Sequence, residues 1–384
     1  MRVTLLVLDS VGMGAMPDAE EWGDAGSDTI GHVADAVGGL SLPNLEKMGL
    51  GNIRPIRGVS AVESPTAGYG KAAIASAGKD TVSGHWEMAG VPVTDPFRTF
   101  PEGFPPAIMD AFHQAIGRQS LGNFAASGTQ IIEDLGEEHR TTGKPIVYTS
   151  ADSVFQIAAH EDVVPVDLLF RWCEAAFDIV VEYGVARVIA RPFVGEQGAY
   201  TRTHNRHDYS LVPPARTIMD ILQDAGEPTT SVGKVKSVFG GRGFTESIAA
   251  GGNAAILQGV LDQLDRQTSG MIFANLVDFD MLYGHRRNPQ GYARALEAFD
   301  ERLPDLVGCL GADDLLILTA DHGNDPTWVG TDHTREYVPI LAWHAQVRGL
   351  GVGTRTTMAD IGATIADWFR VPAPETGESF LPQL

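Results

Sequence analysis

The chain concentrates its reactive side chains in short clusters of acids, histidines and hydroxyls. GKDTVSGHWEMAG, from Gly78 to Gly90, holds the hydroxyls of Thr81 and Ser83, the imidazole of His85 and the carboxylates of Asp80 and Glu87. Asp9 closes the apolar run VTLLVLD. Asp280 is followed five residues later by His285, Asp321 is followed at once by His322, and GTDHTRE supplies His333. Asp and His suit divalent cations, and the absence of nearby Cys excludes a soft thiolate site. A lone Asp after a strand is ordinarily a turn or helix-capping residue, and Asp332 is read that way. Three acid-terminated strands with three histidines close behind them point instead to two divalent cations sharing a site.

Such a site needs a scaffold that brings strand ends together. The runs 3–9, 70–76, 229–235, 271–280, 314–323 and 338–344 read as buried strands, and 292–310 and 358–369 as helices. Apolar strands separated by helices predict an α/β fold with a largely parallel sheet, whose ligands gather at the carboxyl ends of the strands. Two proline-rich stretches, 91–106 and 211–216, interrupt the pattern. Between them lie further strands, 145–150 and 186–194, and a helix over 166–184. The expected organisation is a core built from 1–97 and 214–384, with a smaller α/β domain inserted over 98–213. The proline-rich connectors are natural hinge positions.

Bulk properties narrow the partners. A formal charge of −21 argues against nucleic acid and repels anionic substrates at long range. No apolar run approaches a membrane span, and MRVTLLVLDS lacks a signal-peptide cleavage pattern. Cys173 and Cys309 stand far apart, which suits a reducing cytoplasm. The expected partners are small molecules, with no nucleic acid, membrane or protein partner implied. Against the acidic background, Arg187, Arg191, Arg202 and Arg206 face a single acid, Glu196, in their segment. Arginine forks bind phosphate oxygens bidentately, so a local phosphate site is expected there.

These motifs carry a resemblance. LDSVGMG, GKDTVSGHWEM, DFDMLYGHRRN and TADHGNDPTWVGTDHTRE, with YTSADSVFQIAAHE and ARPFVGEQGAYTRTHNRHDYSL, resemble the phosphopentomutase family of the alkaline phosphatase superfamily. The resemblance runs from the first strand to the C-terminal helix. It implies an alkaline phosphatase-like core, flanked by helices, with an inserted cap domain. It also implies one Mn²⁺ on Asp9, Asp321 and His322, and another on Asp280, His285 and His333. Thr81 would be the phosphate-carrying nucleophile between them, and Ser83 a turn or capping hydroxyl. Ser150 and Asp152 would face the ribose. Arg191 and Arg206 would clamp the non-reacting phosphate, and Lys234 would reach the substrate phosphate; Arg187 and Arg202 are left structural.

The implied reaction interconverts α-D-ribose 1-phosphate and D-ribose 5-phosphate, and their 2-deoxy forms. Thr81 would be primed by glucose 1,6-bisphosphate or ribose 1,5-bisphosphate, and a closing cap would exclude water. Other readings are another metal-dependent phosphomutase or phosphomonoesterase, or a non-catalytic metal-stabilised sugar-phosphate binding protein. A sulfatase is set aside because neither Cys lies in a C-x-P-x-R signature. His85 and Glu87 are read as packing and capping residues.

Overall fold

The computed structural model describes residues 1–150, 153–347 and 349–384. The chain divides into two compact units, one of Met1–Asp95 with Val212–Leu384, the other of Pro96–Leu211.

In the larger unit eight strands form one sheet. Their order is Glu246–Ile248, Thr229–Val232, Gly270–Leu276, Arg2–Leu8, Leu315–Thr319, Val338–Trp343, Gly68–Ala72 and Gly351–Arg355. Arg2–Leu8 lies between Gly270–Leu276 and Leu315–Thr319, parallel to both. Its residues from Val3 onward are buried, as a continuous apolar run between two covered faces requires. The sheet is mixed, because Val338–Trp343 runs antiparallel to both of its neighbours. That strand returns from the loop carrying His322 and His333 without a crossover helix, a connection only an antiparallel partner permits.

The apolar run expected as a strand over 271–280 leaves the sheet at Leu276. Asn253 and Asp278 exchange side-chain-to-backbone hydrogen bonds of 2.8 Å each and draw the chain aside. Phe279–Gly284 then forms a π-helical turn. Asp280 therefore sits on this turn and not at a strand end. The expected helices are observed as Pro289–Gly308 and Ala359–Phe369, the latter packing on Thr81–Met88.

The smaller unit has a six-stranded sheet ordered Leu121–Ala125, Ile146–Thr149, Val154–His160, Arg187–Val194, Thr201–Arg202, with His207–Ser210 also pairing with Arg187–Val194. One apolar cluster includes Phe112, Phe155 and Trp172; a second includes Ile131, Tyr148 and Phe193. The helix expected over 166–184 is Val166–Val180 followed by the 3₁₀ turn Val181–Tyr183. No helix among the described residues is long and apolar enough to cross a membrane.

Candidate metal centre

Three buried carboxylates and three imidazoles converge on the loops and the π-helical turn that follow the central strands. Asp9 follows Arg2–Leu8 directly. Its Oδ2 accepts hydrogen bonds from Lys234 Nζ at 2.7 Å and Asn275 Nδ2 at 3.0 Å, while Oδ1 is buried without a partner. Asp321 Oδ1 accepts from the Ser10 amide at 3.1 Å. Its Oδ2 makes no hydrogen bond, although His85 Nδ1 lies 3.3 Å away and His322 Nε2 3.4 Å away. Asp280 Oδ1 accepts from Asn324 Nδ2 at 2.7 Å, and its Oδ2 is 3.1 Å from His285 Nε2.

The ligand atoms form two sets, Asp9–Asp321–His322 and Asp280–His322–His333, with all atoms of each within 4.8 Å of one another. His322 belongs to both, and its ring stacks on His333 at 3.9 Å between centroids. His285 joins the second set through Asp280. Its Nδ1 bonds the Thr331 carbonyl at 2.6 Å, which turns Nε2 towards Asp280. His322 is oriented in the same way by a 3.1 Å bond from Nδ1 to the Gly323 carbonyl.

Burial pushes the Asp9 carboxyl up to about 8, helped by the charge of Asp321 and opposed by Lys234. Burial acts the same way on Asp280, but His333 and His285 hold it well below the usual carboxylate range. Against burial, His322 and His85 hold Asp321 low. Burial drives the His322 imidazole down to about 4, favouring the neutral form that ligates metals. Asp9 Oδ1 and Asp321 Oδ2 are buried without a hydrogen-bond donor, and the oxygen and nitrogen donors around them fit divalent ions.

Thr81 opens the helix Thr81–Met88. Asp80 caps this helix by accepting from the amides of Val82 and Ser83, and Ser83 Oγ donates back to Asp80 at 2.6 Å. Ser83 is thereby committed to the cap. Thr81 Oγ lies 3.4 Å from His322 Nε2. Gly84 lets the helix seat against the ligand loop, since a Cβ there would lie 2.2 Å from the Asp321 carbonyl oxygen. His85 is wholly buried, with Nδ1 2.9 Å from the Thr81 carbonyl and Nε2 3.2 Å from Asn275 Nδ2. Glu87 accepts from the amides of Ala75, Ser76 and Met358 and from the Thr357 hydroxyl.

Lys234, expected to reach a phosphate, pairs with Asp9. In the smaller unit Ser150 follows the strand Ile146–Thr149, and Asp152 lies outside the described residues. Arg191 Nε donates to Gln156 Oε1 at 3.1 Å. Arg206 forks onto Asp208 at 2.6 and 2.5 Å, so two of its donors are occupied. Asn275 and Asn324, which support the acids, were not among the sequence candidates. A single amide in the buried strand GMIFANL was the available signal for Asn275.

A model of the metalloenzyme superfamily matches residues 1–373. Phosphopentomutase of Anaeromyxobacter dehalogenans is 56% identical over 385 aligned residues, covering 100% of this chain and 99% of that protein. Phosphopentomutase of Alkaliphilus metalliredigens is 52% identical, covering 99% of this chain and 98% of that protein. Among solved structures, phosphoglycerate mutase of Leishmania mexicana superposes with a TM-score of 0.51 at 13% identity, covering 98% of this chain and 96% of that one. The PH0037 protein from Pyrococcus horikoshii gives 0.51 at 13%, covering 96% and 97%. These two show the fold, an alkaline phosphatase-like α/β fold with mixed sheets flanked by helices. Identity above one half along the whole chain places it in the phosphopentomutase family of the metalloenzyme superfamily, as an enzyme of the isomerase class.

Proposed function

We propose that the enzyme interconverts α-D-ribose 1-phosphate and D-ribose 5-phosphate, and the 2-deoxy forms, with Thr81 carrying the phosphate between turnovers. The supporting observation is the 3.4 Å approach of Thr81 Oγ to His322 Nε2, the ring common to both ligand sets. Asp9, Asp321 and His322 would hold one divalent ion, and Asp280, His285 and His333 the other, with His322 close to both. Bound there, two Mn²⁺ ions would supply positive charge to the phosphoryl oxygens and favour ionisation of the Thr81 hydroxyl.

The chain's own residues do the rest. Asp80 and Ser83 hold the first helical turn, so that Thr81 and the helix N-terminus would face a bound phosphate together. The Ser10 amide and Asn275 keep Asp321 and Asp9 oriented, His85 lies 3.3 Å from Asp321, and Lys234 offsets the crowded carboxylates. Ser150, Asp152, Arg191 and Arg206 are proposed as sugar-phosphate ligands of the smaller unit, and Lys234 as a further phosphate contact. Priming of Thr81 by glucose 1,6-bisphosphate or ribose 1,5-bisphosphate, and a cytoplasmic setting, complete the reading.

The test is phosphorus NMR of ribose 5-phosphate with Mn²⁺ and a trace of glucose 1,6-bisphosphate. Thr81→Ala is expected to form no ribose 1-phosphate while binding as much metal as the parent. Isomerisation retained in that variant overturns the assignment of Thr81.

A further inference from the structure

The segment 73–80, which leads from the strand Gly68–Ala72 to Thr81, belongs to no strand or helix. Its backbone groups must therefore find partners outside regular structure. Glu87 takes the amides of Ala75 and Ser76 at 2.8 and 2.7 Å, and the Val93 carbonyl takes that of Ala77 at 2.8 Å. A single side chain serves the carbonyls. Arg335 Nη1 donates to those of Ser76 at 2.8 Å and Gly78 at 2.7 Å, and Nη2 donates to that of Ile74 at 2.9 Å.

Arg335 stands two residues after His333 and is buried. Its remaining donors, on Nη2 and Nε, meet Asp18 Oδ2 at 2.9 and 3.1 Å, so all five guanidinium N–H groups are in use. The guanidinium also lies over the Trp22 ring, 5.0 Å from its centroid. With every donor so committed, Arg335 acts on the backbone of 74–78 and not on the ligand carboxylates. Its own amide donates to Asp24 Oδ2 at 2.9 Å, and the same oxygen accepts from Lys79 Nζ at 2.9 Å. The chain that bears His333 is thus tied twice to the chain that delivers Thr81, once through the guanidinium and once through Asp24. A displacement of about 1 Å between reacting groups can cost about 100-fold in rate, so such ties bear directly on catalysis.

We propose that Arg335 is a positioning residue for phosphoryl transfer, whose fork on the carbonyls of Ile74, Ser76 and Gly78 sets where Thr81 stands relative to the ligand loop. Its effect on rate rests on Thr81 as the nucleophile; its hold on the segment 73–80 does not. Arginine is required by the geometry. A lysine keeps the charge but presents three donors from one nitrogen, too few and too close together for three carbonyls and Asp18.

The test uses the full chain loaded with Mn²⁺. Arg335→Lys is expected to lower kcat for ribose 5-phosphate about 100-fold, with KM and Mn²⁺ affinity unchanged. Amide hydrogen exchange, read by mass spectrometry, should quicken in peptides covering 73–83 and keep the parent's rate across Gly270–Leu276. Asp18→Ala removes one anchor of the fork at a half-buried side chain, 35% exposed, and leaves Arg335 in place. It should show the same pattern with kcat lowered about tenfold, and it settles the question if Arg335→Lys does not fold. An unchanged kcat, a fall in Mn²⁺ affinity that matches the fall in kcat, or exchange quickened throughout the chain overturns the proposal. Failure of the Thr81 reading shows separately, as isomerisation retained in Thr81→Ala.

Discussion

Asn275 contributes more to the metal centre than its place in an apolar strand suggests. Its Nδ2 donates to Asp9 Oδ2 at 3.0 Å and lies 3.2 Å from His85 Nε2, so one amide ties a carboxylate to the ring behind Asp321. Because Asn275 Nδ2 is a donor, His85 Nε2 accepts and the proton sits on Nδ1, facing the Thr81 carbonyl. Removing the amide should cost the site its orientation before it costs the fold. Asn275→Ala is expected to weaken metal binding by about 10–100-fold, read by manganese titration with electron paramagnetic resonance. Unchanged affinity would mean that Lys234 alone suffices to hold Asp9. Thr81 and the six Asp and His candidates stood out in the sequence because each sits in a compact motif rich in polar groups. Asn275 did not, and His85, in the same motif as Thr81, read as a packing residue, because what these two do depends on partners far away in the chain.

The helix Thr81–Met88 is the element on which the reading of the site turns. Alanine is a better helix former than glycine by about 1 kcal/mol, so Gly84→Ala would stabilise an isolated helix. Here the added methyl would meet the backbone of Asp321, with 2.2 Å to its oxygen and 2.8 Å to its carbon. Helix and ligand loop must then part. Gly84→Ala is expected to lose about 1–3 kcal/mol in urea unfolding and a larger share of its activity. A gain in stability would show that the helix can shift without cost. The apolar runs marked most of the core strands, since burial on both faces leaves a continuous signature. They overran where Gly270–Leu276 gives way to the turn bearing Asp280, because Val277 and Phe279 remain buried after the chain has left the sheet. Hydrophobicity records burial, and pairing has to be settled by Asn253 and Asp278.

For the larger unit, the metal centre is also a matter of stability. Asp9, Asp280 and Asp321 are all buried beside one another, and an ion bound only by the folded chain stabilises it by mass action. Chelation is expected to abolish isomerisation and lower the thermal midpoint together, with Mn²⁺ restoring both and Ca²⁺ restoring stability more than activity. A midpoint indifferent to chelator would show that the acids are accommodated without metal. The split of the larger unit around Pro96–Leu211 has a further consequence, for synthesis on the ribosome. The strand Arg2–Leu8 lies between Gly270–Leu276 and Leu315–Thr319, which emerge long after it. Contiguous Pro96–Leu211 can complete its own sheet while the earlier segment waits without partners. Stalled nascent chains ending before Leu315 should therefore resist protease within Pro96–Leu211, remain cleavable across Met1–Asp95 and retain no manganese. A strand made early is thus among the last to be folded.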